Sequence, residues 1–266
     1  MKIKVNKVPL AILMFILFIT IIVPFIKPIV NQSMNRSFIE KARNEALSAN
    51  IKIIQLTYDT GYNSISTSVS AGASGVIFRK EGNTYFALTA LHVITENKDV
   101  DKTQIVVMGY DDPDRTKENM GDGVANYYMQ LPEVKVAYLS EKYDLAVISF
   151  TSDKGYTALK LAEDRPKFGD KIVAMSNPFG KRNVITAGRV GWKKTWQYED
   201  ETGKYDYEII THSAVTSQGS SGSALLNEDL EIVGINLGGN ENFFRQFISG
   251  MAIPNDQIKA FLKEWK

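Results

Sequence analysis

The chain has 266 residues, with 31 basic and 30 acidic side chains and a formal net charge of +1. This balance, together with the lack of a dense basic patch, argues against a nucleic-acid-binding protein. Hydrophobic residues make up 44% of the chain, as in globular proteins, and the absence of cysteine excludes disulfides, a cysteine nucleophile and thiolate metal sites.

An uncharged apolar segment at residues 8–26 follows a short tail, residues 1–7, that contains three lysines. Its length is close to the roughly 20 residues with which an α-helix crosses a bilayer. A cleaved signal peptide would need a small-x-small site soon after this run, and residues 23–35 contain no alanine or glycine. We therefore predict an uncleaved single-pass anchor in the cell membrane. The lysines before the span favour a cytoplasmic tail and an extracytoplasmic domain. The basic residues that follow the span argue against this orientation.

Residues 27–50 are polar and compatible with a helix, so we predict a stalk here. A weak apolar stripe at helical spacing consists of Ile39, Ala42, Ala46 and Leu47. The stripe could pack on the following domain or pair with a second copy of the chain.

Short β-branched and aromatic runs, broken by Gly, Asn, Asp and Pro, fill residues 51–254. The clearest runs are Gly75–Phe78, Thr84–Leu88, Gln104–Met108, Ala146–Phe150, Lys171–Met175, Tyr205–Ile210 and Glu231–Leu237. This pattern predicts an all-β domain built as barrels or a sandwich.

His92 is one of only two histidines, and it follows a predicted strand in the segment Thr89–Val93. A lone histidine in such a place is more often structural than catalytic. As a general base its only competitor is His212, which has no obvious carboxylate partner. We therefore predict that His92 is the base and that His212 is structural or lines a pocket.

An acidic stretch, Asp111–Asp122, contains five carboxylates and suggests a calcium loop. Calcium loops space their oxygen ligands regularly, with a glycine turn and a bidentate acid at the end. This stretch matches no such template, so we predict no metal site.

Asp144 opens the hydrophobic run Asp144–Ile148, where a carboxylate is costly unless it is hydrogen-bonded. We predict the ring N–H of His92 as its partner, which would fix the imidazole tautomer and stabilise an imidazolium. The alternative is a solvated aspartate at the end of a strand.

A serine lies between glycines in the segment Gly219–Ser223. Because Gly219 precedes Ser221 by two residues and Gly222 follows it, the backbone can turn sharply and bring the N–H groups of Gly219 and Ser221 onto one oxyanion. Neither neighbouring serine has this arrangement. A flexible Gly/Ser turn is the commoner explanation of such a composition, but apolar runs place this turn between strands. We predict Ser221 as a nucleophile.

The chain ends in an amphipathic pattern at residues 255–266. Asn255 suits an N-cap, and Ile258, Phe261, Leu262 and Trp265 recur at helical spacing. We predict a terminal helix that closes the domain.

In their order along the chain, these motifs resemble the trypsin-like serine protease superfamily, and most closely its HtrA (DegP-like) branch. The resemblance covers nearly everything after residue 50 and is specific because many landmarks follow in family order. The motifs are Ser74–Ile77, Thr89–Val93, Asp144–Val147, Asn177–Gly180, Thr186–Val190, Gly219–Ser223, Gly234–Asn236 and Ala252–Pro254.

The resemblance implies two six-stranded antiparallel β-barrels, at about 51–155 and 165–254, with the active site in the cleft between them. His92 and Asp144 would come from the first barrel and Ser221 from the second. The implied reaction is peptide-bond hydrolysis through an acyl-enzyme, with no metal or organic cofactor.

The chain departs from the family pattern in three places. Ser220 replaces the usual asparagine or aspartate before the nucleophile, and Ser223 replaces a second glycine, as in the glutamyl endopeptidases of the same superfamily. The chain also stops just after the terminal helix, so we expect no PDZ domain, and the oligomeric state stays open.

Two segments would form the specificity pocket, Val215–Gln218 and Gly234–Gly239. Neither contains an acid, so we expect no trypsin-like preference for Arg or Lys. A small aliphatic P1 residue would fit the HtrA resemblance, with Val215 and Leu237 as walls. Thr216 matches the pocket hydroxyl of glutamyl endopeptidases, but Asn236 stands where their pocket histidine falls.

These features predict a membrane-anchored serine endopeptidase. Its protease domain, residues 51–266, would act on polypeptides. The competing class is a non-catalytic or latent module of protease fold that binds peptides or partner proteins at the membrane. The presence of all three triad residues argues against a pure binder, which needs none of them.

Overall fold

The computed structural model describes residues 35–60, 65–95, 100–119, 121, 123–200 and 203–265, together with scattered positions between 12 and 33. No helix formed by these residues is long and apolar enough to cross a membrane. The tail at 1–7 and most of the segment at 8–26 lie outside the described residues, so the membrane anchor stays a prediction.

Helix α1, Arg36–Glu45, lies within the predicted stalk. Phe38, Ile39 and Ala42 are buried and belong to the main hydrophobic core. The apolar stripe of the stalk therefore packs on the domain, which decides between the two alternatives that the sequence left open.

The first half of the domain is a seven-stranded antiparallel sheet in the order β2-β1-β3-β4-β7-β6, with β5 also paired to β1. Its strands are β1 (Asn50–Thr60), β2 (Ile65–Val69), β3 (Ala73–Glu81), β4 (Thr84–Ala90), β5 (Lys102–Met108), β6 (Lys135–Ser140) and β7 (Leu145–Thr151). A short helix, α2 (Val124–Met129), lies between β5 and β6 and was not predicted.

This sheet is a half-barrel, so the prediction of a closed six-stranded barrel in the first half is wrong. Among the described residues, a single isolated bridge, Val106 to Glu133, approaches closure between β5 and the residues before β6. Pro132 lies next to this bridge, and its carbonyl accepts a hydrogen bond from the N–H of Val107 at 3.0 Å. A proline has no N–H to donate, so a regular ladder cannot continue through it.

The second half is the closed six-stranded barrel that was predicted, in the order β10-β13-β12-β11-β8-β9. Its strands are β8 (Lys171–Ser176), β9 (Val184–Asp200), β10 (Gly203–His212), β11 (Ala224–Leu226), β12 (Ile232–Glu241) and β13 (Phe247–Pro254). Among the described strands, β9 and β10 form the longest hairpin ladder.

One hydrophobic core runs through both halves. It includes Leu88 and Val147 from the first sheet and Val173 and Leu226 from the barrel, all fully buried. Burying each such side chain contributes roughly 1.5–3 kcal/mol to the stability of the fold, so the two halves are held together as one packed unit.

Helix α3, Asn255–Glu264, closes the domain as predicted, with Ile258 and Phe261 completely buried. The Phe261 ring packs against Tyr138 and Tyr143 of the first half, at centroid distances of 5.1 and 6.2 Å. The terminal helix thus contributes to the contact between the two halves.

Asn255 does not cap helix α3, contrary to the prediction. The helix begins at this residue, Pro254 occupies the N-cap position, and no side chain caps the helix. The Asn255 amide donates instead to the carbonyls of Ala162 (2.7 Å) and Asp164 (2.9 Å). These bonds pin the start of the helix to the segment between the two halves.

The acidic stretch forms ion pairs with basic side chains. Lys154 Nζ lies 2.6 Å from Asp112 and 3.2 Å from Asp111, and Arg182 binds Asp114 at 2.7 Å. Asp122 lies outside the described residues. The described part of the chain contains no cluster of His, Asp and Glu suited to a metal ion.

Candidate active site

The chain turn after β4 places His92 beside Asp144. Strands β4 and β7 pair so that Ala90 lies opposite Leu145. His92 follows Ala90 by two residues and Asp144 directly precedes Leu145, so both lie at the same end of the strand pair. His92 lies in a 3-10 turn, and Asp144 adopts the left-handed conformation (φ 49°), which aspartate tolerates better than most residues.

Three hydrogen bonds fix this contact. The His92 ring Nδ1 and Asp144 Oδ2 are 2.7 Å apart, the backbone N–H of His92 donates to Asp144 Oδ1 at 2.9 Å, and the N–H of Leu91 donates to the Asp144 carbonyl at 3.0 Å. The carboxylate accepts, so Nδ1 carries a proton and the neutral ring presents a lone pair at Nε2. The contact expected from the sequence is therefore present.

His92 is open to solvent. Its side chain is 47% exposed, whereas that of Asp144 is 21% exposed. Among the described residues, no hydrogen bond engages Nε2 of His92. The ring can therefore exchange a proton with a group that approaches Nε2 from solvent.

The segment Gly219–Ser223 forms a tight turn in which both glycines have positive φ, 92° at Gly219 and 81° at Gly222. The turn is held by hydrogen bonds from Ser220 N–H to the Ser217 carbonyl (2.8 Å) and from Ser223 N–H to the Ser220 carbonyl (3.1 Å). Within the described residues, no hydrogen bond uses the backbone N–H of Gly219 or Ser221. These two donors are free to bind a ligand oxygen.

Gly222 is where the nucleophile turn touches the first half of the domain. A Cβ at this position would clash with the Ser74 carbonyl and the Thr89 hydroxyl, both on strands of the first sheet. The N–H of Ser74 also donates to the Ser221 carbonyl at 3.0 Å. Glycine is required here by space as well as by φ, and this close approach brings the Ser221 turn to the strand that leads to His92.

The Ser221 hydroxyl is not bonded to His92 in this structure. Its Oγ donates to the Leu237 carbonyl at 2.8 Å, and within the described residues no hydrogen bond links Ser221 to the His92 ring. Since a hydroxyl has one proton to donate, this contact and proton transfer to His92 exclude each other.

Asn236, predicted to line the pocket, lies buried under the turn and holds it in place. Its amide donates to the Ser220 carbonyl at 3.0 Å, its N–H donates to the Ser223 carbonyl at 2.8 Å, and its carbonyl accepts from Gly222 N–H at 2.8 Å. Its side-chain oxygen accepts from His212 Nε2 at 3.0 Å. Asn236 thus links His212 to the backbone of the nucleophile turn.

His212 is a buried structural residue, which is one of the two roles predicted for it. It is 2% exposed, and burial, partly offset by the hydrogen bond that its ring donates to Asn236, lowers the pKa of His212 to about 4. Its ring fills the space next to Gly250, where any side chain would collide with it. The ring is neutral at pH 7 and does not face the cleft.

A cavity of about 220 Å³ opens beside Ser221. It is lined by Thr216, Ser217, Gln218, Ser221, Gly238, Gly239 and Glu241. Of the predicted pocket residues, Thr216 lines the cavity and Asn236 lies behind it. Val215 and Leu237 do not line it, and Glu241 was missed because it follows the predicted segment by two residues.

Comparisons with known proteins show the family of this chain. The family described as "Trypsin-like peptidase domain" matches residues 73–235. Periplasmic serine endoprotease DegP from Salmonella typhimurium is 31% identical over 175 residues, which cover 63% of this chain and 32% of DegP. Serine protease HTRA1 from Xenopus tropicalis is 31% identical over 200 residues, which cover 73% and 36% respectively. The chain thus matches about a third of the length of these relatives.

The matched region contains the first-half strands that carry His92 and Asp144, and it contains the turn around Ser221. It covers more than half of the chain and ends in β12, beneath the nucleophile turn. This chain therefore belongs to the trypsin-like peptidase family and is similar to its HtrA and DegP members.

Proposed function

We propose that this chain is a serine endopeptidase that hydrolyses peptide bonds in polypeptides, with Ser221 as nucleophile, His92 as general base and Asp144 as its orienting partner. The observation that carries the proposal is the 2.7 Å contact between His92 Nδ1 and Asp144. It leaves Nε2 as the one basic ring nitrogen. Support for Ser221 as its partner comes from Gly222, which approaches Thr89 closely and so brings the Ser221 turn to the strand that leads to His92.

The first step is attack on the substrate carbonyl. The Ser221 hydroxyl gives its proton to His92 Nε2 while Oγ forms a bond to the carbonyl carbon, and the carbonyl π electrons move to its oxygen. Asp144 stabilises the imidazolium that results. The free N–H groups of Gly219 and Ser221 would bind the oxyanion, a type of contact that typically contributes about 3–4 kcal/mol per donor.

The second step completes the hydrolysis. His92 returns the proton to the leaving amine as the C–N bond breaks, which leaves an ester on Ser221. A water molecule then gives a proton to His92 and attacks the ester carbonyl. Breakdown of the second tetrahedral intermediate releases the carboxylic acid and restores the serine.

A second candidate is a latent form of the same enzyme, and the bond from Ser221 Oγ to the Leu237 carbonyl favours it. In this arrangement the nucleophile is not activated, because its proton is directed away from His92. Substrate binding would have to turn the Ser221 hydroxyl toward His92. A substrate shifts the protein toward this active state only to the extent that it binds the active state more tightly than the latent one.

We also propose that the enzyme works at the outer face of a cell membrane. Support comes from the uncharged segment 8–26 and the lysines before it. Helix α1 begins at Arg36, ten residues after this segment, and packs on the domain, so the active site would lie close to the bilayer.

The test is proteolysis of an unfolded, fluorescently labelled polypeptide by the purified full-length chain. We expect Ser221→Ala and His92→Ala each to lower the rate by at least about 10³-fold, with the double variant little worse, because the residues act as a unit. Ser68→Ala, an exposed serine on β2, is the matched control. Activity that survives Ser221→Ala, or a loss as deep with a folded His212→Ala variant, would contradict the assigned roles.

A further inference from the structure

Among the described residues that line the cavity beside Ser221, Glu241 is the one that is acidic. It is the last residue of β12 and follows a β-bulge at Asn240. Gly238 also lines the cavity, and a Cβ at this position would meet no atom within 4 Å, so the cavity is open beside it. Because Ser221 and Glu241 line the same cavity, a side chain that enters past Ser221 comes close to Glu241.

The Glu241 carboxylate is available to a ligand. Among the described residues, no lysine or arginine forms an ion pair with it, although ten other ion pairs of Lys and Arg are present. It is also free of the hydrogen bonds by which Asn242 and Gln246 close the following hairpin.

A second, independent feature of the cavity also points to a polar ligand. Thr216 is 3% exposed, and its Oγ1 is buried without a hydrogen-bond partner. A buried hydroxyl that lacks a partner costs roughly 1–3 kcal/mol, so a ligand that supplies one gains affinity. Thr216 Oγ1 faces Gly239, since a Cβ there would lie 3.2 Å from it.

We propose that Glu241 sets the substrate preference of this site and that the cavity takes a long cationic side chain, lysine or arginine, at the P1 position. The inference rests on the proposed endopeptidase function for its biological meaning. The ammonium or guanidinium would pair with Glu241, and one of its N–H groups or a shared water would satisfy Thr216. The volume of about 220 Å³ exceeds the roughly 150 Å³ of a protein cavity that accepts benzene, so size does not forbid such a side chain.

Glu241 lies outside the two segments from which the sequence predicted no preference for Arg or Lys, so that expectation is replaced here. The two preferences considered from the sequence, a glutamate or a small aliphatic P1 residue, fit the cavity less well. A glutamate at P1 would bring a second carboxylate toward Glu241 with no described basic residue in the lining to balance it. An aliphatic P1 side chain would find neither of the expected apolar walls, because Val215 and Leu237 do not line the cavity. It would also leave Thr216 Oγ1 unpaired.

Ligand binding tests the pocket without requiring catalysis. Benzamidinium, a cation, and benzamide, its neutral analogue, are titrated against the full-length chain and its Glu241→Gln and Glu45→Gln variants. Glu45 is an exposed glutamate on helix α1 that does not line the cavity. We expect benzamidinium to bind at least roughly tenfold more tightly than benzamide, and Glu241→Gln to remove most of this ratio while Glu45→Gln retains it. Equal binding of the two compounds, or an unchanged ratio in Glu241→Gln, would overturn the proposal.

Peptide cleavage then distinguishes this proposal from the proposed function. Two peptides that differ only in lysine or norleucine at P1 are compared at low salt. We expect kcat/KM to favour lysine, and Glu241→Gln to lower that preference roughly fivefold to tenfold without a comparable loss for norleucine. Cleavage of both peptides at equal rates would overturn the pocket assignment alone. Selective benzamidinium binding with no cleavage of any peptide would support the pocket and count against the endopeptidase.

Discussion

The buried His212 gives a quantitative prediction about pH. Its pKa is about 4 in the folded protein, because burial disfavours the charged ring, against 6.5 for an ordinary histidine. The unfolded chain therefore binds a proton at His212 as the pH falls below about 6.5, while the folded protein does not until about pH 4. Protonation favours unfolding in this window, so stability is lost as the pH falls.

The size of this effect follows from the difference between the two pKa values. One pKa unit corresponds to about 1.36 kcal/mol, so a difference of about 2.5 units makes His212 cost up to about 3 kcal/mol of unfolding free energy by pH 4. Most of that loss falls between pH 6.5 and pH 4. Well above pH 6.5 the ring is neutral in both states, so His212 makes no pH-dependent contribution there.

The assay is urea unfolding of the parent and of His212→Gln, followed by circular dichroism between pH 7 and pH 4.5. Other titrating groups are common to both proteins, so the difference between their stability curves isolates His212. We expect the parent to lose about 2 kcal/mol more than the variant over this range. Because the chain has only two histidines, NMR can also follow the ring directly. Parallel stability curves, or a His212 ring that titrates near pH 6.5 in the folded protein, would refute the reasoning.

Three further predictions concern packing and orientation. Gly222→Ala should destabilise the protein by at least about 3 kcal/mol, because its Cβ has no room beside Ser74. Gly82→Ala, also at positive φ but in open space, should cost only about 1–2 kcal/mol in the same thermal unfolding assay; equal losses would contradict the steric argument. Phe261→Ala should cost about 3–5 kcal/mol in chemical unfolding, since the ring is fully buried; a loss below 1 kcal/mol would show that α3 is not packed as described. Asp144→Asn should lower kcat about 10⁴-fold with KM little changed, because an amide that donates to Nδ1 would favour the wrong tautomer of the ring; a tenfold effect or less would mean that Asp144 does not orient His92.

Several features could be predicted from the sequence because they depend on short segments. Alternating apolar runs predicted the strands, and the spacing of Ile258 and Phe261 predicted α3. The contact between His92 and Asp144 needed more than local composition, which on its own favours a solvated aspartate at the end of a strand. It was predicted from the cost of an unpaired carboxylate together with the carboxylate partner that a catalytic histidine needs.

Other features depend on contacts between distant segments, which no local pattern records. Helix α1 packs on a surface that distant parts of the chain form. The first sheet stays open beside Pro132, because a proline has no backbone N–H to continue the ladder of hydrogen bonds. Asn236 was predicted to line the pocket because it lies in the segment Gly234–Gly239, at the place of the pocket histidine of glutamyl endopeptidases. Four hydrogen bonds hold it below the turn instead. Glu241 lines the cavity from the end of β12, just after a β-bulge that no local pattern predicts.

The central claim is that Ser221, assisted by His92, is the nucleophile of this fold. The most direct test is to treat the folded full-length chain with a fluorophosphonate and to locate the adduct by mass spectrometry. We predict a single phosphonylated residue, Ser221, and little labelling in His92→Ala. An adduct on Ser220 or Ser223 instead, or equally fast labelling of Ser221 without His92, would contradict the account.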